Sequence, residues 1–231
     1  MIQSPTDDDQ VVFLGKSQRT SAYEAPLFKG TKGINWVSDD CGSKIRALNS
    51  GKKIQEFLFH PTQNKWALAA SWTSCAEFKD EPCKIYKELY VTKDMGEEWT
   101  YMTNYVYDFE WGTSQHAIDN GVKIPAERVF VTRDADGKGH QNANRQTGWS
   151  TKIDLFFSDD FYATSRMILD NGNTIVKTPQ YMFISVSLGN EKAIHIWSSH
   201  YGSGFLKLRG VRLPKDAIIS SSFTLMDTSE N

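Results

Sequence analysis

An octapeptide that recurs after short strand-like runs constrains this chain more than any other feature, because a motif at an interval dictates a repeat architecture. Ser38-Asp39-Asp40-Cys41-Gly42-Ser43-Lys44-Ile45 and Thr92-Lys93-Asp94-Met95-Gly96-Glu97-Glu98-Trp99 share the form Ser/Thr-x-Asp-x-Gly-x-x-apolar. A further copy keeps Ser198, Gly202 and the terminal aromatic Phe205 but has His200 in place of the aspartate. A weaker one keeps Ser158 and Asp160 and replaces the glycine with Tyr162. The copies start at 38, 92, 158 and 198, intervals that suit a four-stranded blade with loops of unequal length.

The pattern fits a tight turn between the last two strands of a blade. The hydroxyl and carboxylate accept hydrogen bonds from turn N–H groups, and glycine supplies a positive φ. The terminal residue then tucks its side chain beneath the turn. Each aspartate is thereby expected to be structural and not an acid catalyst or metal ligand. His200 is expected to hydrogen-bond the turn in the aspartate's stead, a pH-sensing role being the alternative.

The runs Ile34 to Val37, Phe57 to Phe59, Trp66 to Ala70, Leu89 to Val91, Arg128 to Val131, Leu155 to Phe157, Tyr181 to Val186 and Ile194 to Trp197 read as strands. Aromatic and β-branched residues fall in pairs and alternations, and no window of ten or more residues has a helical period, so the expected class is all-β. A content of 39% hydrophobic residues among 231 supports a large core. With 26 Lys+Arg against 28 Asp+Glu, the charge balance does not recommend nucleic acid or an anionic membrane, which leaves proteins, peptides or sugars as partners. No apolar run approaches the roughly 20 residues of a membrane helix. Cys75 and Cys83 bracket a short polar loop and either close as one bridge or stay reduced, leaving Cys41 odd.

A strand followed by Ser/Thr-x-Asp-x-Gly-x-x-Trp is the Asp-box of sialidases, some endoglucanases and sortilin-type receptors. Its surroundings, Glu56-Phe57-Leu58-Phe59-His60-Pro61, Leu89 to Gly96, Phe109-Glu110-Trp111-Gly112, Leu155 to Phe161, Tyr181 to Val186, Gly202 to Pro214 and Phe223 to Glu230, resemble the sortilin and vacuolar carboxypeptidase-receptor family, with fungal and protist members closest in pattern. The resemblance covers nearly the whole chain. It implies that residues 1–231 are part of a lumenal ten-bladed β-propeller, about four to five blades of it, truncated at the C-terminal and also the N-terminal end. It further implies a non-enzymatic segment that binds soluble cargo proteins or peptides on the lumenal side of the Golgi and endosomal membranes, in a parent protein anchored by a single membrane pass outside this segment, with no cofactor or metal. An oxidising lumen favours the Cys75–Cys83 bridge and a partner for Cys41 outside this piece.

In sortilin-like members an inner-strand Phe-x-Ser and an arginine about nine residues on capture an extended peptide and its terminal carboxylate. Phe183 and Ser185 match the first part. The arginine position falls on Ala193, with Lys192 as the neighbouring cation, which lacks the planar fork of arginine. Phe183 as core and Lys192 as a solvated charge is the alternative.

Asp134 to Arg145 begins like a calcium loop but has Lys138 and Arg145 at ligand positions, so it reads as a long hairpin loop. His60, before Pro61, reads as a turn residue. The rival class, an Asp-box glycoside hydrolase, needs an arginine cluster or two opposed carboxylates. The scattered arginines and the five histidines suggest no such constellation. A propeller serving only as an interaction scaffold is a third class, distinguished by reduced Cys75 and Cys83.

Overall fold

A computed structural model describes residues 1–14, 35–48, 54–72, 86–135, 153–187 and 193–214. Among these residues sixteen strands form four sheets, and in each the strands neighbour one another in chain order. The first sheet holds β1 (Ile2–Gln3), β2 (Val11–Phe13), β3 (Trp36–Ser38) and β4 (Arg46–Ala47). The second holds β5 (Ile54–Phe59), β6 (Ala67–Trp72), β7 (Lys87–Thr92) and β8 (Thr100–Asn104). The third holds β9 (Val106–Trp111), β10 (Val129–Asp134), β11 (Ile153–Ser158) and β12 (Arg166–Leu169). The fourth holds β13 (Gly172–Lys177), β14 (Tyr181–Ser187), β15 (Ala193–His200) and β16 (Leu206–Pro214). A four-stranded antiparallel meander is the blade of a β-propeller, so the fold class is all-β with four propeller blades among the described residues.

The first two sheets fall in one compact unit and the last two in another. In the first unit Val12, Val37, Phe57, Phe59, Ala67, Ala69 and Met95 make one buried cluster. The alanines of β6 lose no exposed surface to spare, and their small size lets large rings approach, as large and small side chains alternate in a close-packed interior. In the second unit Phe130, Leu155, Phe157, Ile175, Met182, Ile184 and Val186 form the core. Met182, Ile184 and Val186 are alternate residues of β14, so one face of that strand is apolar and buried, each side chain contributing about 1.5–3 kcal/mol. The other face carries Tyr181, Phe183 and Ser185.

The eight runs read as strands from the sequence fall, in their described residues, on β3, β5, β6, β7, β10, β11, β14 and β15, with Ile34 outside the described residues. The helix α1 (Gln115–Asp119), capped by the Ser114 hydroxyl accepting from Ala117 N at 3.1 Å, is too short for a sequence period to reveal.

Candidate functional site

All four motif copies connect the third and fourth strands of their sheets: β3 to β4, β7 to β8, β11 to β12 and β15 to β16. In the second turn Thr92 Oγ1 donates to Asp94 Oδ1 at 2.7 Å and accepts from Gly96 N at 2.8 Å. Asp94 Oδ1 also accepts from Glu97 N at 2.9 Å and Glu98 N at 3.0 Å. The first turn repeats this, with Ser38 Oγ on Asp40 Oδ1 at 2.9 Å and Lys44 N on Asp40 Oδ1 at 2.7 Å. So does the third, where Thr164 N and Oγ1 bond Asp160 at 2.9 and 2.7 Å, and Ser158 Oγ at 2.7 Å.

These bonds hold the carboxyls of all three aspartates below their ordinary range. The Lys44 N–H is the largest cause at Asp40 and the Thr164 hydroxyl at Asp160. Burial pushes the Asp94 carboxyl up, and the Glu98 N–H with the Thr92 hydroxyl outweighs it. A carboxylate surrounded by its own turn is ionised and occupied, which suits a structural part and not a proton donor.

Two consecutive residues of each turn are left-handed, where the sequence pattern suggested only the glycine. The first are Cys41, Met95, Phe161 and Tyr201, at φ 51–59°, and the second are Gly42, Gly96, Tyr162 and Gly202, at φ 70–88°. In the first, second and fourth turns the N–H of the first residue bonds back to the hairpin between strands one and two of the same sheet: Cys41 N to Asp9 O at 2.9 Å, Met95 N to Lys65 O at 3.0 Å, Tyr201 N to Gln180 O at 2.9 Å. In the second and fourth turns the glycine lies against a side chain of the preceding sheet. A Cβ on Gly96 would stand 2.5 Å from Leu48 Cδ1, and one on Gly202 2.6 Å from Phe130 Cζ. Trp99 tucks beneath its turn against Phe57, and Phe205 packs edge-on to Phe130. Ile45, at the same place in the first turn, is 54% exposed and tucks under nothing, a correction to the expected pattern.

The fourth turn departs from the others. The N–H four residues after the aspartate position, Gly204 N, goes to Ser199 Oγ at 3.2 Å. Ser198 occupies the motif position, but the bonded hydroxyl is that of its neighbour Ser199. Ser203 N and Oγ bond the main-chain oxygen of His200 at 3.2 and 2.8 Å. The imidazole, expected to bond the turn, is instead exposed and lies among rings, 5.3 Å from Tyr181 and 4.2 Å from Tyr201. The series continues to Phe183, 6.2 Å beyond Tyr181, and to His116 of α1, 5.9 Å beyond Tyr201. His116 Nδ1 shares a 2.6 Å bond with Tyr201 Oη, and Gln180 Nε2 sits 3.0 Å from His116 Nε2. Beside these rings is a shallow hollow lined by Gly112, Ser114, Lys177, Gln180, Tyr181 and Tyr201.

The expected peptide site is only partly described. Phe183 and Ser185 lie on β14, which is flanked by β13 and β15, and not on a first strand. Both edges of β14 are hydrogen-bonded, so an added strand cannot pair there. Ser185 Oγ accepts from Thr174 N at 3.0 Å. Lys192, Cys75 and Cys83 lie outside the described residues. Cys41 is exposed, with Sγ 2.9 Å from Asp9 Oδ1, a contact that raises its thiol pKa. His60 is fully buried and caps a turn, Nδ1 accepting from Gln63 N at 2.8 Å.

The first strands of the third and fourth sheets carry a group that sequence reading missed. Lys177 Nζ donates to Trp111 O at 2.7 Å and Thr113 O at 2.6 Å and pairs with Glu110 Oε1 at 3.6 Å. Asp108 Oδ2 accepts from Ile175 N at 2.8 Å. Burial pushes the Glu110 carboxyl up against the pull of Lys177, and burial pushes the Lys177 amine down. A carboxyl of raised pKa is what a general acid needs, but this one faces an amine already clamped to two carbonyls, the arrangement of a brace. Among the described residues no three His, Cys, Asp or Glu side chains converge to hold a metal, and no helix is long and apolar enough to cross a membrane.

The family model described as Sortilin, neurotensin receptor 3 (Sortilin-Vps10) matches residues 1–231. This chain belongs to the Sortilin-Vps10 family. The VPS10 domain-containing receptor SorCS3 of Mus musculus is 26% identical over 80% of the chain and 13% of its own length. The vacuolar protein sorting/targeting protein 10 of Aspergillus clavatus is 23% identical over 75% of the chain and 10% of its own length. The chain thus spans about an eighth or less of these Sortilin-Vps10 relatives. The crystal structure of an ancestral GH74 enzyme superposes with a TM-score of 0.44 at 12% identity, over 77% of the chain and 23% of that enzyme. At that score the likeness carries no weight for fold or chemistry.

Proposed function

We propose that this chain is a cargo-binding, lumenal segment of a sorting receptor that carries soluble proteins from the late Golgi to endosomes and the vacuole, and that it is not an enzyme. The Sortilin-Vps10 match along all 231 residues carries the reading. The turn aspartates support it by being consumed in their own turns, and Glu110 by facing an amine that is clamped to two carbonyls. In this reading the motif copies are Asp-boxes, and Phe183 and Ser185 contribute to cargo contact through the face of β14, with Lys192 as the nearby charge. The parent protein is membrane-anchored outside this segment, and Cys75 and Cys83 are bridged in the oxidising lumen.

The test is titration calorimetry of the full-length protein with peptides ending in a free carboxylate, at neutral pH and near pH 5.5, beside a panel of glycosides. Peptide binding without glycoside turnover supports the receptor. Turnover of any glycoside, or silence towards every peptide at both pH values, overturns it and returns weight to an Asp-box hydrolase or a scaffold.

A further inference from the structure

The fourth strand of the second, third and fourth sheets carries a bulge at the same step of its ladder, and in the last of these the bulge is widened. In the second sheet Leu89 and Tyr90 face Thr103 and Tyr101, so Met102 is the single extra residue of β8. In the third, Leu155 and Phe156 face Leu169 and Met167, which leaves Ile168 extra in β12. In the fourth, His195 and Trp197 face Arg212 and Lys207, so four residues of β16, Leu208 to Val211, stand opposite Ile196 alone. Each step lies just before the motif turn, so the three places are equivalent. Extra residues bend a strand and re-aim its side chains, and β16 has three where its counterparts have one.

What this strand displays is basic and apolar together. Residues 206–215 read Leu-Lys-Leu-Arg-Gly-Val-Arg-Leu-Pro-Lys, four cations and no acid in a chain whose formal net charge is -2. Lys207 and Arg209 are exposed, Leu206 is 76% exposed and Val211 39%. The strand is the outer one of its sheet and runs nine residues, against two, five and four for β4, β8 and β12. Charges and bulges on an outer strand blunt it against pairing with its own kind. The same charges select the opposite kind: a second basic edge is repelled, and an acidic segment is attracted. The exposed leucine and valine favour a peptide over a polysulfated glycan, which gains from the cations but has no apolar side chains to set against them.

We infer that β16 is a docking edge for an extended acidic peptide segment, whose carboxylates pair with Lys207 and Arg209 and whose apolar residues cover Leu206 and Val211. The inference rests on the cargo-receptor reading and adds a second surface to the face of β14. The main chain of an outer strand also suits an extended peptide, because its free flank offers N–H and C=O groups in strand register.

The test is fluorescence anisotropy of the full-length protein with a labelled, C-terminally amidated dodecapeptide of repeating Glu-Leu-Glu-Ser, beside its Gln-Leu-Gln-Ser and Lys-Leu-Lys-Ser counterparts. The amide removes the free carboxylate on which the calorimetric test depends, so the two readings fail separately. The Glu peptide is expected to bind, the Gln peptide about fivefold or more weakly, and added salt to weaken the first. K207E/R209E loses the Glu peptide by a similar factor and gains affinity for the Lys peptide, a reversal that misfolding does not produce. L206S weakens the Glu peptide about threefold. A Glu peptide held equally by wild type and K207E/R209E, or no tighter than the Gln peptide, overturns the docking edge and leaves the receptor reading standing. Heparin binding that K207E/R209E abolishes, with no binding of the Glu peptide, overturns it in favour of a glycan. Silence towards these peptides and in the calorimetric test overturns both readings.

Discussion

The second and fourth turns are built on the same backbone and differ in what their side chains do. Both place two left-handed residues in succession, Met95–Gly96 and Tyr201–Gly202, and both bond the first of these to the neighbouring hairpin. In the second, Asp94 gathers two N–H groups and a hydroxyl. In the fourth, one 3.2 Å bond from Gly204 N to Ser199 Oγ stands in its place. The backbone conformation therefore does not depend on the aspartate. In these two turns it is held by the stitch to the hairpin and by the packing beneath, with glycine relieving the strain of a positive φ that Tyr162 bears in the third, while the carboxylate adds stability on top.

The sharpest test of that ordering is substitution of the glycines. G202A places a methyl against the rigid, fully buried Phe130 ring at a φ of +70° and is expected to cost about 3 kcal/mol. G96A meets the end of the flexible Leu48 side chain and costs about 2 kcal/mol, while G42A, with nothing within 4 Å of the new Cβ, costs only the backbone strain of about 1 kcal/mol. Chemical denaturation of the three variants checks the order, and equal costs would show that strain alone decides. Next, D94A should lose about 2 kcal/mol, because Glu97 N, Glu98 N and the Thr92 hydroxyl lose their acceptor. H200A, by contrast, should be nearly neutral in the same assay.

Acid reads the same contrast in the wild-type chain. Asp40, Asp94 and Asp160 all titrate below the ordinary 3.8, so the folded state binds fewer protons than the unfolded one. Their contribution is complete above about pH 4 and is lost as pH falls through the depressed values. Glu110 runs the other way. Its raised folded value gives a contribution present below the unfolded pKa and lost as pH rises through the folded one. D94N should therefore flatten the acid limb of a melting-temperature profile, and E110Q should remove a fall in stability as pH rises above about 4.5. One substitution should bring a gain: H200N should raise stability by about 0.5–1 kcal/mol by supplying Gly204 N with a better acceptor. A loss of that size would mean that the ring stack, and not the turn, holds this end of the fourth sheet.

The strands legible in the sequence are mostly the middle ones of each sheet, β3, β6, β7, β10, β11, β14 and β15, because they are covered on both flanks and carry apolar runs such as Val129-Phe130-Val131. The outer strands β4, β8, β12 and β16 were not legible. Arg166-Met167 of β12 and Leu206-Lys207 of β16 are exposed, and a strand facing water need not alternate. The motif located the turns because its residues act within eight positions of one another. The Tyr181–His200–Tyr201–His116 series and the Glu110–Lys177 brace were beyond reach, since each joins residues far apart in sequence through pairings that no local pattern encodes. The one available signal was His200 itself, an exception to a rule the chain states three times.

The stitch between motif turn and neighbouring hairpin gives the first, second and fourth sheets a clasped end. At the clasped end, chain length is pinned by Asp9–Cys41, Lys65–Met95 and Gln180–Tyr201. At the other, the link between second and third strands runs from Ser187 to Ala193 in the fourth sheet but from Phe13 to Trp36 in the first. Loop length at the clasped end is therefore fixed by the stitch, whereas the connections between second and third strands already differ in length from sheet to sheet, so insertions are expected to be tolerated better there.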